Sequence, residues 1–289
     1  MIDGSMQSYA LTLDKFLSHA AKWHPGAEVV SAGAEGQVRR IGYAALRERA
    51  LRVSGALAAL GIAKGDRVAT LAWNTQGHVE AWYGIMGMGA ICHTLNPRLT
   101  PAQLGSMLAQ SEASVLLASP DLLSLAQDAV RNLGTVRRIL LLDSEAGEGA
   151  IEPLVAAAPA DAVWGDFDET SPSGLCFTSG STGAPKGVTY THRGCFLHTM
   201  RQLQADVLGI TARDAVMPVV PMFHANAWGI PFTAPAVGAK LVLPGRHSDG
   251  AHLARLIRGE GVTAAVGVPT VWLGLVEHLG AEGGEVPTL

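Results

Sequence analysis

The sequence contains few cysteines, and none of them is arranged to bind a metal. Its 289 residues include three cysteines, Cys92, Cys176 and Cys195, and no Cys-x-x-Cys pair occurs. An odd, scattered set provides no disulfide framework and fits a reducing compartment, where each thiol packs as a small apolar group. The ten histidines also lack the spacing of metal ligands.

Basic runs and a signal peptide are absent as well. The formal net charge is −4 without any cluster of Lys or Arg, so nucleic-acid binding has little support. The first six residues lack the basic and apolar regions of a signal peptide. Residues 215–239 carry no charged side chain, but their four prolines disfavour a continuous membrane-spanning helix. We expect a buried strand, a loop and a short helix there, in a cytoplasmic protein without integral membrane segments.

Alternating strand and helix patterns indicate the fold class. Hydrophobic residues make up 48% of the chain, which argues against disorder. Apolar runs that predict strands are separated by stretches with helical spacing, which favours an α/β fold of layered sheets flanked by helices. Residues 144–172 are rich in Ala, Pro, Gly and acidic residues, and we predict a linker there. It would divide the chain into subdomains 1–165 and 170–289.

The segment Phe177–Gly187 has the composition of a phosphate-binding loop. It contains four hydroxyl side chains, three glycines and one lysine, Lys186, between two segments that predict strands. Glycine lets backbone N–H groups approach an anion, hydroxyls donate to phosphate oxygens, and lysine adds positive charge. The segment is not a Walker loop, because Pro185 precedes the lysine and a strand follows it. The alternative for a short Gly/Ser/Thr run is a solvated hairpin turn.

Residues 178–188 resemble the phosphate-binding signature of adenylate-forming enzymes, the superfamily that includes acyl-CoA synthetases. Further blocks extend the resemblance over essentially the whole chain, among them Gly65–Val68, Met222–Gly229 and Gly267–Trp272. The subgroup most similar to these blocks is that of medium- and long-chain fatty acyl-CoA synthetases and methylthiopropionyl-CoA ligases. The resemblance implies a ligase that uses ATP, Mg²⁺ and CoA, and that forms an acyl-adenylate and then an acyl-CoA.

The resemblance also implies roles for individual residues. Thr178 would contact phosphate and Mg²⁺, Lys186 would neutralise the phosphates, and His224 would lie beside the carboxylate and the α-phosphate. The β- and γ-phosphates would be held by the loop residues Ser179, Gly180, Ser181, Thr182 and Gly183. Trp228 would gate the acyl tunnel and Ala225 would line the same pocket. From spacing alone, the histidine and the tryptophan four residues later would share a helix face, and packing in a core would explain them equally well.

The sequence lacks the later motifs of the family. No Tyr-Gly-x-Thr-Glu segment follows residue 188, and the ribose-binding aspartate, the hinge and the small C-terminal domain with its lysine are absent. We therefore expect residues 1–289 to be part of the large N-terminal adenylation domain of a longer protein. The alternatives are a ligase for aryl or methylthioalkanoic acids, an enzyme that loads a carrier protein, and a nucleotide-binding fragment without catalysis. The resemblance makes a homodimer plausible.

Overall fold

The structure is a computed structural model that describes residue 4 and residues 9–33, 37–178 and 185–289. Within these residues the chain forms two β-sheets with helices between and around them. The strands are β1 (Glu28–Ala32), β2 (Val38–Gly42), β3 (Arg67–Leu71), β4 (Ile91–Thr94), β5 (Val115–Ala118), β6 (Arg138–Leu141), β7 (Pro172–Thr178), β8 (Lys186–Thr191), β9 (Ala215–Pro218), β10 (Lys240–Leu243) and β11 (Ala264–Val266).

The helices alternate with these strands over most of the chain, as the sequence pattern predicts. They are α1 (Asp14–Trp23), α2 (Tyr43–Ala59), α3 (Gln76–Gly87), α4 (Pro101–Ser111), α5 (Leu123–Val130), α6 (Glu152–Ala157), α7 (His192–Gln202), α8 (Ile230–Val237), α9 (Gly250–Glu260) and α10 (Pro269–Glu282). Local signals fix several of their ends. Thr100 and Gln103 form a capping box at the start of α4, and Gly261 ends α9 in a left-handed conformation.

The strand order confirms the α/β fold class. Sheet A has the order β11-β9-β10-β1-β2 and sheet B the order β6-β5-β3-β4-β7-β8. Neighbouring strands are parallel except for the pairs β1–β2 and β7–β8. Each sheet takes strands from both sides of residues 166–169. The division into subdomains 1–165 and 170–289 therefore does not coincide with the division into sheets.

The predicted linker at residues 144–172 is packed against the rest of the protein. It contains α6, whose Glu152 accepts hydrogen bonds from Arg49 of α2 at 2.7 and 2.9 Å. Trp164 donates to Ser54 Oγ of the same helix at 2.8 Å. Arg49 also donates to the buried Glu80 of α3 at 2.8 Å. The composition of this segment suggested a free connection, but its few large side chains hold it to α2.

Helix α3 forms the centre of the core, because it is buried along nearly its whole length. Small residues permit this close packing, as its sequence predicts. A Cβ atom on Gly84 would lie 2.7 Å from the side chain of Val53, so only glycine allows the approach of α2. On its other side, Trp82 stacks on Phe232 of α8 with ring centroids 5.6 Å apart.

The uncharged stretch 215–239 forms a strand, a loop and a short helix, as predicted. Strand β9 and the eight-residue α8 are both buried in the protein core. In the part of the chain that the structure describes, no helix is both long and apolar enough to cross a bilayer. Helix α7 is shorter than predicted: it ends at Gln202, where the sequence pattern predicted helix as far as Leu208.

Candidate active site

Strands β7 and β8 form an antiparallel hairpin around the predicted phosphate loop. Thr178 and Lys186 are register partners at its tip, and both side chains are exposed. The predicted strand-to-strand connection is thus confirmed, whereas Ser179, Gly180, Ser181, Thr182 and Gly183 lie outside the described residues. Opposite residues of an antiparallel pair have Cα atoms about 4.5–5.5 Å apart. A group bound at this tip is therefore within reach of both the hydroxyl and the ammonium group.

The segment after His224 is a turn of left-handed backbone. From Ala225 to Trp228, four consecutive non-glycine residues have φ between 44° and 53°, and Gly229 follows with φ 78°. The helical interpretation of the four-residue spacing between His224 and Trp228 is therefore wrong. Left-handed geometry costs about 1–2 kcal/mol for an ordinary residue, because Cβ approaches the carbonyl oxygen. The whole turn thus stores strain on the order of 4–8 kcal/mol, which the surrounding contacts must offset. We call residues 225–229 the left-handed turn.

An apolar cavity of about 430 Å³ lies beneath this turn, between β8, α7 and α8. Small-molecule sites usually measure about 300–1,000 Å³ and are mostly apolar. Ala225 and Trp228 line it, and Trp228 is 40% exposed. His224 is exposed on the same segment but is not part of the cavity wall. The remaining lining residues are Tyr190, Thr191, Gly194, Cys195, His198, Asn226, Gly229 and Phe232.

The cavity and the hairpin share β8, and β7 lies beside the left-handed turn that covers the cavity. Tyr190 lines the cavity and lies on the strand that begins at Lys186. Asn226 of the left-handed turn lies 3.8 Å from the thiol of Cys176, two residues before Thr178. The same side chain lies 3.9 Å from the thiol of Cys195, on α7. Burial raises the pKa of both thiols, which keeps them protonated and fits the prediction that they pack as small apolar groups.

A second cavity, of about 540 Å³, is more polar and lies at the carboxyl ends of strands from both sheets. Its polar groups bind one another: Asp121 accepts from the indole N–H of Trp73 and from Arg246, each at 3.1 Å. None of the site residues predicted from the sequence lines this crevice. The apolar cavity is lined by two of the predicted residues, Ala225 and Trp228.

Comparisons with known proteins identify the family of the chain. The family model described as AMP-binding enzyme matches residues 17–287. The chain belongs to this family. The chain is 41% identical over 294 residues to a medium-chain-fatty-acid–CoA ligase of Ectopseudomonas oleovorans, and the match covers 99% of the chain and 54% of that protein. It is 44% identical over 286 residues to a long-chain-fatty-acid–CoA ligase of Thermus thermophilus, covering 99% and 52%.

Further relatives and solved structures agree with the family. A 3-methylmercaptopropionyl-CoA ligase of Ruegeria pomeroyi is 41% identical over 294 residues, covering 99% of the chain and 54% of that protein. The N-terminal domain of FACL13 from Mycobacterium tuberculosis has a TM-score of 0.85 at 25% identity, over 96% of this chain and 68% of that one. The chain spans about half the length of the curated relatives it matches.

Asn74, which follows β3, is a residue that the sequence analysis did not single out. Its amide nitrogen donates to the carbonyl oxygens of Pro218 and Val220, each at 2.9 Å. Its amide oxygen accepts from the backbone N–H of Met222 at 2.7 Å. The side chain is buried, so these bonds connect sheet B to the segment that leads into His224. No local pattern marks this asparagine, because its partners lie 144–148 residues away in sequence.

Helix α7 supplies two more residues that the sequence did not indicate. His198 Nε2 lies 3.2 Å from the carbonyl oxygen of Trp228, and Gln202 Nε2 donates to the same oxygen at 2.5 Å. His192 at the start of the same helix is buried, and its Nδ1 accepts from the backbone N–H of Leu13 at 3.3 Å. Burial lowers the pKa of His192 to about 4, which keeps the imidazole neutral.

Proposed function

We propose that the complete protein is an ATP-dependent acid–thiol ligase that activates a medium- or long-chain fatty acid and transfers the acyl group to CoA. The observation that carries the proposal is the junction of two sites on one hairpin. Thr178 and Lys186 face each other at its tip, and Tyr190 of the same hairpin lines an apolar cavity of about 430 Å³. The family and the names of the relatives support this reading.

The reaction would proceed in two displacements. A carboxylate oxygen of the acid attacks the α-phosphorus of ATP, the bond to the bridging oxygen breaks, and pyrophosphate leaves. The sulfur of CoA then attacks the acyl carbon of the adenylate, and AMP leaves with the bonding electrons. The first step develops negative charge and requires in-line positioning, so it depends on donors and positive charge more than on a base.

At the hairpin tip, Lys186 would neutralise the phosphates and Thr178 would donate its hydroxyl to them. In the described residues, no group of three His, Cys, Asp or Glu side chains is placed to hold a metal ion. Mg²⁺ usually binds through substrate phosphates, several waters and one or two carboxylates, and the hydroxyl of Thr178 would add one further contact. The ion would supply positive charge to the phosphate oxygens. We assign the β- and γ-phosphates to Ser179, Gly180, Ser181, Thr182 and Gly183.

The left-handed turn would connect the phosphate side to the acyl side. His224 is exposed at the start of the turn, where it can contact the acid's carboxylate. Ala225 and Trp228 line the cavity, so the acyl chain would lie against them. Trp228 is 40% exposed at the cavity wall, a position from which its indole can restrict entry. The lining offers few polar groups, which favours an apolar tail over a charged one.

The relatives leave a second substrate class open. The methylmercaptopropionyl-CoA ligase of Ruegeria is as similar to this chain as the medium-chain ligase is, at 41% identity each. A thioether tail is also apolar and would fit the same cavity. We infer a cytoplasmic enzyme that works on free small acids, and a homodimer is part of the proposal. The alternative from another class of function is a nucleotide-binding fragment without catalytic activity.

The test is acid-dependent pyrophosphate release by the complete protein. ATP and Mg²⁺ are supplied with acids from C3 to C18, with methylthiopropionate and with aryl acids, each in the presence and absence of CoA. The proposal predicts release that requires an acid, is greatest for fatty acids, and yields acyl-CoA when CoA is added. Binding of ATP without release for any acid would replace it with the nucleotide-binding reading, and a preference for methylthiopropionate would change the substrate class alone.

A further inference from the structure

The left-handed turn is held at both ends by buried contacts. Before it, the backbone N–H of Met222 donates to Asn74 at 2.7 Å. After it, Tyr83 of α3 donates its hydroxyl to the carbonyl oxygen of Pro231 at 2.9 Å, and Ile230 is fully buried. Within the turn, Trp228 is exposed, Ala225 is half-buried and the other three residues are buried. Strained backbone persists only where surrounding contacts over-determine it, and such segments cluster at ligand clamps and switch regions.

Two side chains of α7 converge on one carbonyl oxygen of this turn. Gln202 Nε2 donates to the oxygen of Trp228 at 2.5 Å, and His198 Nε2 lies 3.2 Å from the same atom. Gln202 is 6% exposed, so both ends of its amide need partners. Its oxygen accepts from the hydroxyl of Thr233 at 2.5 Å. The amide therefore joins the turn to α8.

The close approach of α7 depends on glycine at the end of the turn. A Cβ atom on Gly229 would lie 3.0 Å from the ring of His198 and 3.2 Å from the amide oxygen of Gln202. The same residue has φ 78°, which other residues adopt at a cost. The backbone conformation, the glycine and the hydrogen bonds of Gln202 therefore all favour the same arrangement of the turn.

We propose that Gln202 is a positioning residue that latches the left-handed turn and so fixes Trp228 against the acyl cavity. This inference rests on the proposed function, because it assigns the latch to acid binding. When the amide no longer donates to the carbonyl of Trp228, the turn relaxes toward ordinary backbone geometry and the indole leaves the cavity wall. The acid then binds only the molecules in which the turn is latched, so the apparent affinity for the acid falls in proportion to their fraction.

The test follows the indole of Trp228 by fluorine NMR in the complete protein labelled with 5-fluorotryptophan. The resonance of Trp228 is the one that Trp228→Phe removes, and the other tryptophans report whether each variant remains folded. Gln202→Glu keeps the shape and the acceptor for Thr233 but removes the donated hydrogen bond, and Gln202→Met removes both. Gln204→Glu is the matched control, because it makes the same amide-to-carboxylate change two residues later, on an exposed side chain that accepts from Arg201. Thr233 is left unchanged, because its hydroxyl donates to both Gln202 and the carbonyl oxygen of Gly229.

We expect both Gln202 variants to shift the Trp228 resonance or add a second one, with the ratio of the two arrangements changed roughly 3- to 10-fold, as for the loss of one hydrogen bond. The KM for decanoate should rise with the released fraction while kcat changes less than twofold, and Gln204→Glu should leave both the Trp228 resonance and the KM unchanged. If the Gln202 variants do not fold, His198→Ala carries the test with the same expected direction.

An unchanged Trp228 resonance together with an unchanged KM would overturn the latch. Absence of acid-dependent pyrophosphate release in the wild type would instead overturn the proposed function. The resonance shift would then still report whether Gln202 holds the turn, so the two failures are distinguishable.

Discussion

Replacing Asn74 with alanine tests whether the two sheets are joined where the structure places the junction. The change removes three hydrogen bonds, to the carbonyls of Pro218 and Val220 and from the N–H of Met222. Each buried backbone group left without a partner costs about 1–3 kcal/mol. Three groups give an upper range near 9 kcal/mol, and water that enters the space left by the side chain lowers it. We expect a loss of about 3–5 kcal/mol in the free energy of unfolding.

Guanidinium-induced unfolding of wild type and variant measures this loss, with the midpoint and slope fitted together. Asn96→Ala is the matched control, because the side chain of Asn96 accepts one exposed hydrogen bond at Oδ1, from the backbone N–H of Arg98 at 2.9 Å. It should lose no more than about 1 kcal/mol. A loss below about 1 kcal/mol for Asn74→Ala, equal to that of the control, would refute the reasoning that this amide carries the junction.

Three further predictions concern the hairpin tip, the cavity and buried imidazoles. Lys186→Ala should slow acid-dependent pyrophosphate release roughly tenfold or more, since a bond to a charged phosphate is lost; an unaltered rate would contradict its assignment. Trp228→Ala should shift the chain-length profile across C3–C18 acids, and an identical profile would argue against the gate. Burial lowers the pKa of His78 and His192 to about 4 and of His93 to about 3, so each is neutral when folded and binds a proton more readily when unfolded. The free energy of unfolding should therefore fall as the pH drops below 6.5, by about 2 kcal/mol per imidazole between pH 7 and pH 5. In unfolding measured at both pH values, His93→Leu should reduce this loss by the contribution of one imidazole.

The sequence predicted those parts of the fold that depend on local pattern. The hairpin around the phosphate motif, the packing of α3 through small residues and the strand–loop–helix division of residues 215–239 are confirmed. Each follows from alternation, turn residues or prolines within about 25 residues of chain. The order of strands in the two sheets could not be read in this way, because β1 pairs with β10 more than 200 residues later.

The errors have a common physical origin in tertiary contacts. Ala225 to Trp228 have ordinary helical propensities, and the four-residue spacing from His224 suggested one helix face. The structure places these residues in left-handed backbone, because the amides of Asn74 and Gln202 hold the chain on either side. Neither amide has a sequence signal, since each acts through a partner from a distant element.

The strained turn also explains how the two halves of the candidate site are connected. Asn226 is 6% exposed and lies 3.8 Å from the thiol of Cys176, on the strand that ends at Thr178. A displacement of the hairpin tip would therefore be transmitted to the turn through β7. A displacement of the turn would be transmitted to the acyl cavity through Trp228. Rearrangement of the turn would release strain of several kcal/mol, and a ligand would shift that equilibrium by its difference in affinity for the two arrangements. Under the proposed function the acid meets the turn and the phosphates meet the hairpin. Because binding free energies are reciprocal, an acid that changes the affinity for ATP through this turn must have its own affinity changed by ATP by the same factor.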